Sequence, residues 1–187
     1  MNNSYFFSFV LVMEKPNFSI DLFELSRQCG AITENPAKII FRQIVETCQN
    51  LHSIGVLHRD IKDENILINT ETLEIKMIDF GCAVEFCPMA EYCEPCGTPE
   101  FFPPEVFTDR KYKAESSCVW TLGTLLYVLL LGDIPFDVVE NITTGKRQIS
   151  VIWISFLGLN FFILIKKYFW FTFVLIQIFW FIVSFWD

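Results

Sequence analysis

Basic residues are in short supply. The 187-residue chain carries 14 Lys and Arg against 22 Asp and Glu, a formal net charge of −8 at pH 7. That balance excludes the basic face that nucleic-acid binding requires and favours partners of positive charge. No secretory leader is expected either: the apolar opening, residues 5–13, is too short to span a bilayer and has no basic residue ahead of it. Seven cysteines, an odd number, are therefore expected to be reduced thiols in a cytoplasmic setting. Ser and Thr do not occur between Gly81 and Gly97, so no hydroxyl there can carry a regulatory phosphate on Ser or Thr. Charge is nearly absent from residues 151–186, where only Lys166 and Lys167 appear, and Pro, Ala, Glu and Arg do not.

What is present is organised around one stretch. Leu57-His58-Arg59-Asp60-Ile61-Lys62-Asp63-Glu64-Asn65 precedes the apolar run Ile66-Leu67-Ile68, and Ile78-Asp79-Phe80-Gly81 follows further on. Phosphoryl transfer needs a carboxylate to accept the proton of the attacking hydroxyl and metal ligands to neutralise the phosphates. Asp60 suits the first role, with Lys62 as a compact cation for the transferring phosphate. Asn65 and Asp79 suit the second, as Mg²⁺ ligands. The ordered pair of an H-R-D loop ending in Asn and a D-F-G turn resembles the catalytic and metal loops of protein kinases.

The remainder is read in chain order. Residues 9–13 form a β-branched, apolar run and are expected to be a buried strand. Ser19 is expected to cap a short helix over residues 20–27 that ends at Gly30. Asp21 and Glu24, three apart, would share a face of that helix, as a binding edge or as a solvated one. Asn35-Pro36 reads as a cap and first position of a helix of about five turns, with Ile40, Ile44, Cys48 and Leu51 as its buried stripe and Gly55 as its stop. His52 on this helix reads as a packing or surface residue. Strands are expected at residues 66–68 and 73–78, joined by a turn. Cys82, Cys87, Cys93 and Cys96 admit two readings: a tetrahedral zinc site, although only the last pair has knuckle spacing, or an irregular kinase activation loop. In the second reading Glu85, Glu91 or Glu94 would supply Arg59 with a permanent anion. Residues 119–131 form a helix apolar on all sides, and hence a central one, closed by Gly132.

The motifs resemble the carboxyl-terminal lobe of a serine/threonine protein kinase, and most of all the Pim kinases. The residues that carry this are Glu14-Lys15-Pro16, Asp21-Leu22-Phe23, the string from His58 to Ile68, Pro103-Pro104-Glu105, residues 114–120 and Gly132-Asp133-Ile134-Pro135-Phe136. Cys118 stands where most kinases carry an Asp, a departure similar to that in Pim kinases. The resemblance implies a mostly α lobe with short β-strands, with the amino-terminal lobe absent except for a hinge strand. It implies ATP held by Met13, Glu14, Pro16, Asp21, Leu67 and Ile78, with Pro16 removing one hinge donor. It implies Mg²⁺ at Asn65 and Asp79, and catalysis by Asp60 and Lys62. Basic Ser/Thr-containing protein substrates would meet Asp21, Glu24, Glu64 and Thr98. No glycine-rich phosphate loop, nucleotide-binding lysine or arginine partner for Glu105 is expected within these residues, so turnover by this chain as written is expected to be absent. The expected division is a partial kinase domain over residues 1–149 and a hydrophobic tail over 150–187. Residues 168–186 are long enough for a membrane span. The rival origin is a translated intron, since Gly145-Lys146 can be encoded by a splice-donor signal. A catalytically inactive binding fragment and a membrane-anchored degenerate kinase are the alternative functions.

Overall fold

The computed structural model describes residues 10–136 and 142–143. Four helices carry the architecture: α1 (Leu22–Cys29), α2 (Glu34–Ser53), α3 (Pro104–Thr108) and α4 (Ala114–Leu131). Short strands stand between them. β1 (Ser19–Asp21), β3 (Ile66–Asn69) and β4 (Ile75–Met77) make an antiparallel sheet in the order β1-β3-β4. β2 (Val56–Leu57) pairs with β5 (Val84–Glu85), and β6 (Glu91–Tyr92) pairs with β7 (Tyr112–Lys113).

The α2 stripe forms as its periodicity requires. Ile40, Ile44 and Cys48 are buried, joined by Ala37, Phe41 and Val45, while Leu51 is half-buried. α4 is long and apolar enough to cross a membrane by composition. Here it is the central helix, with Cys118, Leu122, Leu125, Val128 and Leu129 packed into one core with the α2 stripe, Leu22, Ile66 and Ile68. Gly132 ends it in the left-handed conformation at φ 74°, as glycine does without a Cβ penalty. The backbone N–H of Ile32 donates to Leu129 O at 2.9 Å and ties the entry of α2 to the end of α4.

Several expectations require correction. Residues 10–13 are not a buried strand: Val10, Leu11 and Val12 are 87%, 80% and 88% exposed, and no described strand pairs with them. A strand needs a neighbour for its backbone groups, and propensity alone does not supply one. Ser19 is not a helix cap. Ser19, Ile20 and Asp21 pair with Asn69, Ile68 and Leu67, so α1 starts later and Asp21 caps it, its Oδ1 accepting from the Glu24 N–H at 2.7 Å. α2 is capped from Thr33 rather than Asn35, without a side-chain bond. The strand expected over residues 73–78 is the shorter β4, because Leu73 takes φ 60° in the turn.

Candidate active site

β2 and β3 bracket the loop that carries Asp60, and the loop is built on a buried histidine. His58 is 1% exposed; its Nε2 donates to Ile78 O at 3.1 Å, and its Nδ1 accepts from the Asp60 N–H at 3.2 Å. Burial lowers its pKa below the usual value, against the opposing pull of the Ile78 carbonyl. A ring that accepts at one nitrogen and donates at the other is neutral. Arg59 and Asp79 both take positive φ, 68° and 62°, which a non-glycine residue adopts only where its surroundings hold it.

Asp60 sits at the centre of a polar cluster. Its Oδ2 accepts from Asn65 Nδ2 at 3.0 Å, and the same amide donates to Asp60 O at 2.8 Å. Its Oδ1 accepts from Thr98 Oγ1 at 2.9 Å. Lys62 Nζ donates to Thr98 Oγ1 at 2.8 Å and stands 3.3 Å from Asp60 Oδ2 and 3.2 Å from Glu64 Oε2. Burial works to lower the Lys62 pKa, but the Glu64 and Asp60 carboxylates outweigh it and the net shift is upward. Lys62 is therefore a fixed cation here. Gly97 permits this closeness. A Cβ on it would lie 2.6 Å from Arg59 O and 3.0 Å from Asp60 Oδ1, at φ 120°.

Asp79, expected with Asn65 to hold Mg²⁺, is joined to this cluster through the backbone. The Ile78 N–H donates to Asn65 O at 2.9 Å, which sets Asp79 beside the loop. Asp79 is exposed, with its Oδ1 accepting from the Gly81 N–H at 3.1 Å. Asn65 uses its amide nitrogen on Asp60, and its amide oxygen accepts no bond among the described residues. An amide oxygen and a carboxylate are hard donors of the kind that suit Mg²⁺ shared with phosphates.

The residues named for nucleotide binding divide. The sheet register sets Asp21, Leu67 and Lys76 side by side, and Lys76 pairs with Glu14, so Glu14, Asp21 and Leu67 gather at one region of the sheet. Ile78 is half-buried next to it. Met13 is 66% exposed, and Pro16 contributes its carbonyl to Ser19 Oγ at 2.7 Å. Of the acidic residues named for substrate, Asp21 caps α1 at the Glu24 N–H, and Asp63 links Asp21 with Glu64. Asp21 and Glu64 both add to the raised pKa of Asp63, whose first cause is burial. Glu24 lies 4.0 Å from Arg27.

The activation segment departs furthest from expectation. Arg59 meets no carboxylate among the described residues. Its Nε donates to Cys82 O at 2.6 Å and its Nη1 to Glu94 O at 3.0 Å, so backbone carbonyls take the place assigned to glutamates. Cys82 and Cys96 form a disulfide, with Cα atoms 5.6 Å apart. This overturns both the expectation of reduced thiols throughout and the four-thiolate zinc site, and no cluster of three or more His, Cys, Asp or Glu placed to hold a metal ion occurs among the described residues. Tyr92 Oη donates to Glu85 O at 2.9 Å and accepts from the Cys87 N–H at 3.0 Å, while Tyr112 Oη donates to Glu94 O at 3.2 Å.

Sequence reasoning assigned no role to His58, Lys76, Tyr92 or Tyr112. The H-R-D pattern was signal enough for His58; the other contacts depend on register and loop path, which no local pattern encodes. The tail, including residues 168–186, lies outside the described residues.

Residues 4–161 match the family described as protein kinase domain. Serine/threonine-protein kinase pim-2 of Danio rerio is 42% identical over 142 residues, which make 76% of this chain and 46% of that protein. Serine/threonine-protein kinase prk-2 of Caenorhabditis elegans is 41% identical over 137 residues, 73% of this chain and 31% of the relative. The PAS domain-containing serine/threonine-protein kinase of Mus musculus is 42% identical over 133 residues, 71% and 10% of the two chains. The chain thus spans less than half the length of these curated relatives.

Proposed function

The chain belongs to the protein kinase family, and from that premise we propose that it is the hinge and carboxyl-terminal lobe of a Pim-like enzyme that transfers the γ-phosphate of ATP to Ser or Thr hydroxyls of basic proteins. The observation that carries this is the Asp60 cluster. One carboxylate oxygen is fixed by Asn65, and the other already accepts from a hydroxyl, that of Thr98, at 2.9 Å. A substrate hydroxyl brought to Asp60 would meet the same kind of acceptor, and Asp60 would take its proton. Lys62, held by Thr98, Asp60 and Glu64, presents its charge where the transferred phosphate would pass. Asn65 and Asp79 would hold Mg²⁺, which when bound neutralises phosphate charge. Glu14, Asp21, Leu67 and Ile78, with Met13 and Pro16, would line the nucleotide site.

The acidic group Asp21, Glu24 and Glu64 supports a basic substrate. Arginine pairs with carboxylates through a planar two-pronged fork. Exposed pairs contribute roughly 0.2–1 kcal/mol each, so three together give on the order of tenfold preference. The test is an assay of the longest natural product containing residues 10–143 on Arg-rich Ser peptides and on their Ala-substituted counterparts. Asp60→Asn should lower kcat by about 10²–10⁴-fold, the range for a lost general base. Glu64→Ala should narrow the preference for Arg. Unchanged kcat in Asp60→Asn would overturn the reading.

A further inference from the structure

The activation segment holds a pair of features that phosphoryl transfer leaves unused: a cystine that bridges its two ends, and an arginine that grips the same two ends by their carbonyls. Cys82 directly follows the Asp79-Phe80-Gly81 turn, and Cys96 directly precedes Gly97 and Thr98. Arg59 donates to Cys82 O on one arm and to Glu94 O, two residues before Cys96, on the other. With no Ser or Thr between the arms, no phosphate on such a residue can draw them together. We propose that Cys82 and Cys96 are a reversible thiol–disulfide site that clasps the activation segment and so fixes Thr98 against Asp60 and Lys62. The proposal deepens the kinase reading, but it is tested without turnover.

The geometry suits exchange. Cys82 and Cys96 are only half-buried, and Cys96 lines a shallow cleft beside Arg59 and Asp60, which gives a small thiol a route to the bond. In the closing direction a low-molecular-weight disulfide such as oxidised glutathione is the oxidant. One cysteine thiolate attacks it, forming a mixed disulfide and releasing one glutathione thiol. The second cysteine attacks that mixed disulfide and releases the other, so two protein thiols are oxidised and one glutathione disulfide is reduced. A dithiol runs the sequence backwards and leaves as its own cyclic disulfide. Opening frees the arm at Gly97, whose position against Arg59 O and Asp60 tolerates no Cβ and so depends on close approach. Cys87 and Cys93 are exposed free thiols in the same segment and serve as internal controls.

The experiment uses the full chain in oxidised or reduced glutathione buffer, with thiols trapped by alkylation. Fragmentation mass spectrometry after cleavage at Glu85 and Glu91 maps the bonded pair, and hydrogen exchange follows the amides of residues 100–102. The expected result is a Cys82–Cys96 bond that forms and opens with the buffer, while Cys87 and Cys93 stay alkylated. The Phe101 and Phe102 amides, bonded to Thr98 O and Pro99 O, should exchange at least tenfold faster after reduction. Cys82→Ser should show the fast rate in both buffers. A bond through Cys87 or Cys93, no bond in oxidised buffer, or equal exchange in oxidised and reduced wild-type chain would each overturn the proposal. The wild-type comparison decides the matter even where the variant does not fold.

Discussion

His58 shows how one side chain can set the pH range of a loop. Unfolded, its ring titrates near 6.5, whereas in the fold burial resists the proton and both nitrogens are engaged. Above that value both states are neutral and the ring's contribution is complete. As pH falls through 6.5 the unfolded state alone takes a proton, and stability drops by up to about 1.4 kcal/mol per pH unit. Urea midpoints measured at pH 7.5 and 5.5 should therefore diverge in the wild type, and the divergence should shrink in His58→Gln. At this scale the polar cluster was legible, since Asp60, Lys62 and Asn65, singled out by residue type and order on one short loop, lie within reach of one another, Asn65 bonding Asp60 at 3.0 Å and Lys62 standing 3.3 Å from it. What Arg59 touches was not legible. A glutamate nearby in sequence suggested a charge pair, but the folded segment turned its Glu94 carbonyl inward instead.

Among the elements, α2 was legible because one period sets its buried stripe at Ile40, Ile44 and Cys48, and α4 because a run apolar on every side has to lie at the centre. β1 was not, since Ser19, Ile20 and Asp21 read as a helix start until the distant β3 claims them. The contact between α2 and α4 includes two buried thiols. A hydrogen bond from Cys48 is the largest influence lowering the Cys118 pKa; burial opposes it and His52 assists it, leaving the thiol at about 6. Cys48, the donor with its own burial to bear, shifts upward. Acidity favours reaction, yet access governs it. Cys118 is 4% exposed and Cys48 2%, so iodoacetamide at pH 7.5 should label Cys29, Cys87 and Cys93 at least about 100-fold faster than this pair, as their reaction waits on local opening. Timed labelling with peptide mapping checks this. Rapid labelling of Cys118 would show that the α2–α4 seam opens readily.

For the molecule as a whole, Glu105 is the clearest unsettled charge. Burial raises its pKa first, and Asp109 adds to that, against help from the Ser116 hydroxyl; no cation pairs with it among the described residues. A raised carboxyl contributes most below its unfolded pKa of 4.5 and loses that contribution as pH rises through the folded value. Glu105→Gln should accordingly raise Tm at pH 7 by about 2–4 °C, the shift of ~1 kcal/mol in a chain of this size, as calorimetry would show. A fall in Tm would mean that the carboxylate has a partner. The exposed residues 10–13 have a consequence of another kind, in how the protein behaves as a material. Four apolar side chains stand in water with their backbone groups unclaimed by any described strand. An exposed apolar segment with unpaired backbone recruits identical segments from other molecules. Concentrated solutions of this chain should gel or cloud through that segment first, and Val12→Lys, which places a charge within it, should raise the concentration at which light scattering begins.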